Sequence, residues 1–121
     1  MRTLITALAI FFALCVTMAA NFRYINETAD KLTELTEALS IDDAECLEKI
    51  DEIEKLWEKS SDIFSLSVGF KEIDYLGETL LALKSTAENR SELEFERYRS
   101  LLIDAIDGVR RLEKFSVMNI L

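Results

Sequence analysis

The chain has 121 residues, of which 50% are apolar and 31% charged, and its formal net charge is −9. This length suits one small domain, and the absence of proline leaves little to interrupt helices. The acidic excess argues against a nucleic-acid partner, because phosphate contacts require clustered Lys and Arg. Two cysteines and no histidine exclude zinc cages, disulfide frameworks and imidazole-based active sites. We therefore expect no cofactor and no metal.

An apolar segment near the start predicts a transmembrane helix. Of the 17 residues from 4 to 20, 15 are apolar, and the other two are threonines. A helix of this length covers about 26 Å, and Asn21, Phe22 and a snorkelling Arg23 extend it to the roughly 30 Å hydrocarbon core of a bilayer. The segment also has the features of a cleaved signal peptide, since Arg2 precedes the apolar stretch and small residues end it.

We favour an uncleaved anchor because the helical pattern continues beyond the apolar segment. No glycine or proline lies between residues 4 and 39 to unwind a cleavage region. Core-type residues recur there at spacings of three and four, at Ile25, Thr28, Leu32, Leu35 and Leu39. We divide the chain into an anchor or signal segment, residues 1–22, and an acidic extracytoplasmic part, residues 23–121. The expected location is the cell membrane, with a single pass.

Three further stripes with helical spacing follow. The first comprises Cys46, Ile50, Ile53, Trp57, Ser60 and Phe64. The second comprises Ile73, Leu76, Leu80, Leu83 and Ala87, and the third Phe95, Tyr98, Leu102, Ala105, Val109 and Leu112. Each stripe indicates an amphipathic helix with one apolar face.

The connections between the stripes are short and carry capping signals. Ser40 with Asp43 has the spacing of a capping box, and Ser91 with Glu94 matches S-x-x-E. Gly69 marks a helix end or a tight bend. Short links between long helices favour antiparallel neighbours. We predict an all-α fold, in which a transmembrane helix continues into a small antiparallel up-and-down helical bundle.

The sequence resembles a family of small membrane-anchored helical bacterial proteins from Firmicutes that is classed as a domain of unknown function. The resemblance rests on Trp57, on VGFKEIDYLGETLLALK at residues 68–84, and on Asn-Ile-Leu at residues 119–121. It implies a membrane anchor with an acidic helical remainder and brings no activity with it. Members often carry a histidine just before Glu-Ile-Asp, where this sequence has Phe70 and Lys71.

Two surfaces are candidates for contact with a partner protein. One lies just after Gly69 and comprises Phe70, Lys71, Glu72 and Asp74. The other is the apolar tail FSVMNIL, with Phe115, Val117, Met118, Ile120 and Leu121. The competing interpretation is that Glu72 and Asp74 stabilise the positive end of the third helix and that the tail folds back onto the bundle.

Other polar and reactive residues are best explained by structure. Asp42, Asp43 and Glu45 suit the start of a helix better than a calcium loop, which needs six to eight oxygen ligands around a turn. Trp57 and Cys46 lie on the core stripe, so packing is favoured over a ligand-stacking platform or a reactive thiol.

These patterns favour a non-enzymatic protein-interaction or envelope-associated module that is anchored in the membrane. The alternative is an extracytoplasmic helical module that binds a small ligand or cation, secreted if a signal peptide is cleaved. That alternative predicts a cavity near Trp57 and Cys46. An enzyme is not expected, because the available bases are carboxylates and lysines on exposed faces.

Overall fold

The computed structural model describes residues 1–66 and 68–120, without the side chains of residues 116, 117, 119 and 120. Within this part the chain forms four α-helices and no strand. The helices are α1 (Arg2–Glu37), α2 (Cys46–Ser65), α3 (Phe70–Glu88) and α4 (Glu92–Ile120). The all-α prediction is therefore confirmed.

The four helices pack as an up-and-down bundle. α1 contacts α2 and α4, and α3 contacts the same two helices, so the chain order closes into a ring. Two contacts fix the relative direction of α1 and α4. Nη1 of Arg99 donates to the carbonyl of Glu37 at 3.1 Å, and Nη2 of Arg110 lies 2.5 Å from Oδ1 of Asp30. Arg110 follows Arg99 along α4, whereas its partner Asp30 precedes Glu37 along α1. The two helices are therefore antiparallel, as predicted.

α1 is one unbroken helix with two different environments. Residues 2–20 are exposed apart from half-buried Cys15 and Met18, and the bundle core begins at Ile25. Among the described residues, α1 is the helix with the length and apolar composition to cross a membrane. Membrane anchors and signal sequences share these properties. The predicted continuation of the apolar segment into the bundle is confirmed.

The bundle core follows the predicted stripes. All six residues of the α2 stripe are buried, and Leu76, Leu80 and Leu83 of α3 face them. Four hydroxyl residues are also buried: Thr28, Thr36, Ser60 and Thr79. Three of their hydroxyls, in Thr36, Ser60 and Thr79, donate to the carbonyl four residues earlier at 2.7 Å. Those polar groups are satisfied by their own helix, so their burial does not leave an unpaired donor.

The predicted capping box at Ser40 is wrong, because α2 begins five residues later than that spacing implies. The segment before α2 forms turns, and the N–H of Asp43 donates to the carbonyl of Ser40 at 3.1 Å. Oδ1 of Asp43 accepts the N–H of Glu45 at 2.9 Å, and its other oxygen pairs with Lys49 of α2. Asp43 therefore stabilises the start of α2 from within the turn, a role for which Ser40 was predicted.

The predicted start of the fourth helix is confirmed, since α4 begins directly after Ser91. Arg90 has a φ of 53°, the left-handed conformation. Its N–H donates to Ala87 at 3.2 Å, and the N–H of Ser91 donates to Thr86 at 3.0 Å. This pair of bonds closes α3 with a Schellman motif, in which Arg90 occupies the position that usually carries glycine.

Candidate functional site

The α2–α3 corner, which we define as Leu66 and Phe70 to Asp74, contains the first predicted contact surface. Gly69 precedes α3 in an extended conformation, with φ −65° and ψ 152°. The Glu72 carboxylate lies over it, since a Cβ on Gly69 would be 2.8 Å from Oε2 of Glu72. Glu72 is in the first turn of α3, so its predicted place at the positive helix end is confirmed. Asp74 lies beyond the first turn, so the same interpretation is wrong for Asp74.

The helical geometry distributes the predicted corner residues over different faces of α3. Phe70 is 76% exposed, and Leu66 across the corner is also exposed. Lys71 and Glu72 line a groove of about 320 Å³ between α3 and α4, together with Tyr75 and Gly108. Asp74 lines a different groove, between α3 and α2. The residues predicted as one patch therefore lie on three separate surfaces, which are an exposed apolar tip and two grooves.

The groove between α2 and α3 centres on Trp57 and has a volume of about 380 Å³. Trp57 is 7% exposed and packs on Phe64 with ring centroids 5.5 Å apart, so its predicted place in the core is confirmed. Its Nε1 lies 3.7 Å from the point that a Cβ on Gly77 would occupy. The groove reaches the indole edge because residue 77 has no side chain to cover it.

Carboxylates surround this Trp57 groove. The acidic residues that line it are Glu54, Glu58, Asp74 and Glu78. Lys84 neutralises one of them, since its Nζ lies 3.2 Å from Oε1 of Glu54, and this pairing raises the pKa of Lys84. Within the described part of the chain, no group of three or more Asp, Glu or Cys residues is placed to hold a metal ion. The carboxylates of this acidic rim can instead attract an organic cation.

Cys46 does not line the Trp57 groove, so the cavity predicted near both residues involves Trp57 without Cys46. Cys46 is buried, and desolvation raises the pKa of its thiol, as expected for an inert core cysteine. Asp43, which belonged to the acidic cluster considered for calcium, is engaged with Lys49 and the Glu45 amide. Its hydrogen bond with Lys49 is the main reason why the pKa of Asp43 is lowered.

The second predicted contact surface lies at the end of α4. The helix continues through these residues to Ile120. Phe115 is 64% exposed and Met118 is 67% exposed, so for them the expectation that the tail folds back onto the bundle is wrong. The side chains of Val117 and Ile120, and the whole of Leu121, lie outside the described residues.

Sequence reasoning predicted a cavity near Trp57 but missed Gly77 and the carboxylates that line it, Tyr75, and the charged residues of α4 that face α1. Glu113 is 2% exposed, and its Oε2 has no hydrogen-bond partner within the described structure. The spacing of Val109 to Glu113 would have placed this glutamate on the core face. Gly77 on the helix antiparallel to Trp57 was the available signal for the groove, because a missing side chain there leaves the indole edge uncovered.

No family model matches the chain, and comparisons with curated proteins and with solved structures find no match. The resemblance to the bacterial membrane-anchored family therefore stays a prediction. The arguments that follow depend on the residues and their geometry.

Proposed function

We propose that the protein is a non-enzymatic interaction module that one helix fixes to the cell membrane. The observation that carries this proposal is the unbroken course of α1 from an exposed apolar half into the buried core of the bundle. An apolar helix that is not covered by protein requires lipid around it. Because no flexible linker separates the two halves, the membrane segment would hold the bundle close to the bilayer in a restricted orientation.

The proposed orientation places the bundle outside the cytoplasm. All 23 acidic residues and 13 of the 14 basic residues follow Phe22. In this orientation Arg2 and the amino-terminal amine lie on the cytoplasmic side of the span. A protease added outside intact cells should remove the bundle, and sequencing the mature amino terminus should find residues 1–22 still present. A mature chain that begins near Asn21 would contradict the anchor.

The α2–α3 corner supports an interaction role. Exposed Leu66 and Phe70 lie at one tip of the bundle, and Lys71 and Asp74 supply charges of both signs beside them. An apolar centre with a polar rim is typical of protein contact sites. A photoreactive amino acid at position 70 should crosslink to a specific protein in intact cells. Leu93 is 81% exposed near the start of α4 and provides the matched control position, where the same crosslink should be absent.

The Trp57 groove supports a second candidate function, the binding of a small organic cation. We propose that a quaternary or primary ammonium group would lie in this groove against the carboxylates of Glu58 and Glu78. Titration with tetramethylammonium and with spermidine should change Trp57 fluorescence and raise the melting temperature. Glu58→Gln combined with Glu78→Gln, which removes the two charges, should abolish both effects. A flat response to both cations would remove this candidate.

A further inference from the structure

The last turns of α4 run back along α1 toward its apolar half. Two contacts set the register of this antiparallel pair: Arg99 with Glu37 and Arg110 with Asp30. Ile120 lies ten residues beyond Arg110, which is about 15 Å along a helix. Ten residues back from Asp30 along α1 is Ala20. The same comparison from the Arg99 contact, which counts 21 residues forward to Ile120 and 21 residues back from Glu37, reaches Val16. The end of α4 is therefore level with the last turn of the apolar segment of α1.

At this level the exposed face of α4 carries large apolar side chains together with basic ones. Arg111, Lys114, Phe115 and Met118 follow helical spacing on one side, opposite the buried Val109 and Glu113. All four of these outward residues are exposed. Two are large apolar side chains and two are cations, which is the composition of helices that lie in a membrane interface. Exposing the apolar surface of Phe115 and Met118 to water, side by side on such a short helical face, would be energetically unfavourable.

We propose that the final turns of α4 enter the interface of the same bilayer that α1 spans. Phe115 and Met118 contact the acyl boundary, and Arg111 and Lys114 lie among the lipid headgroups. This inference rests on the proposed membrane anchor and adds a second attachment point to it. The unbroken span alone restricts the orientation of the bundle, and the second attachment point also prevents the bundle from rotating about the axis of α1.

Depth-dependent quenching of a fluorophore on the full chain tests this proposal. The Cys15→Ala/Cys46→Ala background would carry Met118→Cys labelled with nitrobenzoxadiazole, reconstituted in vesicles of phosphatidylethanolamine and phosphatidylglycerol. Leu93→Cys in the same background is the control, because Leu93 is also exposed but lies about 38 Å away along α4. Circular dichroism of each labelled variant checks that the helices are retained.

We expect nitroxides on the lipid acyl chains to quench the label at position 118, and aqueous iodide to quench it weakly. The label at position 93 should show the reverse. Quenching of position 118 by iodide as strong as at position 93 would overturn the inference, and so would protection from both quenchers, which would indicate contact with a second copy.

Flotation of the vesicles separates the two proposals. A chain that floats with an iodide-accessible label refutes the α4 contact alone, and a chain that does not float refutes the anchor as well.

Discussion

The indole Nε1 of Trp57 on α2 lies 3.7 Å from the point where a Cβ on Gly77 of α3 would be. This is an ordinary van der Waals separation, so the space above the indole edge holds one methyl group without displacing its neighbours. The missing side chain at Gly77 therefore leaves this part of the indole edge open to the groove between α2 and α3. The same glycine weakens α3, since glycine in a helix interior costs roughly 0.5–1 kcal/mol relative to alanine.

Gly77→Ala is expected to stabilise the protein while its methyl group covers the indole edge of Trp57. The free energy of unfolding should rise by about 0.5–1 kcal/mol, because the unfolded chain has less conformational freedom to lose on folding with alanine than with glycine. Trp57 fluorescence should shift to shorter wavelength as the methyl group excludes water from the indole edge. Urea unfolding in mild detergent measures the first effect, and the emission spectrum measures the second.

Gly108→Ala is the matched control for this substitution. Gly108 also lies inside a helix, and a Cβ there would meet no atom within 4 Å. It should give a similar gain in stability and leave the Trp57 emission unchanged. If Gly77→Ala lowered stability or left the spectrum as it was, the close approach of α3 to the indole would be wrong.

Two phenylalanines at the end of α2 and the start of α3 test the division between core and surface. Phe64 is buried against Trp57, whereas Phe70 is exposed at the corner. Phe64→Ala should lower the free energy of unfolding by about 3–5 kcal/mol, because it removes a ring and leaves a cavity. Phe70→Ala should change it by less than about 0.5 kcal/mol. Chemical denaturation compares the two, and equal losses would contradict this arrangement of α2 and α3.

The sequence was sufficient to predict the helices and their buried faces, because apolar periodicity records which face each helix turns to the core. Ile53 and Leu83 illustrate this, since both are buried where their stripes predict. The start of α2 was mispredicted for a physical reason. A serine and an acidic residue three positions later are compatible with a capping box. In the structure, however, Asp43 pairs with Lys49, and the spacing of Ser40 and Asp43 gives no indication of this contact.

The grooves were harder to predict than the fold. A groove depends on which side chains face each other across two helices, and this relation is set by the register between helices. Gly77 and Trp57 are far apart in sequence, and neither stripe indicates how they meet. The grouping of the α2–α3 corner residues was mispredicted for the same reason, since Lys71 and Asp74 are near neighbours in sequence but line different grooves.

The pair of Asp43 and Lys49 predicts a defined dependence of stability on pH. Their hydrogen bond lowers the pKa of Asp43 from 3.8 and raises that of Lys49 from 10.5. The folded state thus favours the ionised form of each, and their contribution to stability is fully present between these two values. It is lost as the pH falls through the lowered pKa of Asp43, and also as the pH rises through the raised pKa of Lys49.

Asp43→Asn should therefore reduce the free energy of unfolding near neutral pH, with a difference from the unsubstituted protein that shrinks below pH 3.8. Melting temperatures over a pH series provide the measurement. The control is Asp42→Asn, because Asp42 is exposed on the same turn and has no ion pair in the described structure. A loss that is equally large at every pH, or equally large for Asp42→Asn, would contradict the role assigned to Asp43.

Arg90→Gly should stabilise the bundle through the connection between α3 and α4. Arg90 holds the left-handed conformation, with φ 53°, which costs an L-residue about 1–2 kcal/mol and glycine little. Part of this gain is offset because glycine is more flexible when unfolded, so a net increase of about 1 kcal/mol in the free energy of unfolding is expected. Asn89→Gly is the adjacent control. Asn89 has φ −85° in the right-handed region, so glycine there relieves no strain and should lower stability. If the two substitutions had the same effect, Arg90 would not be the residue that closes the Schellman motif.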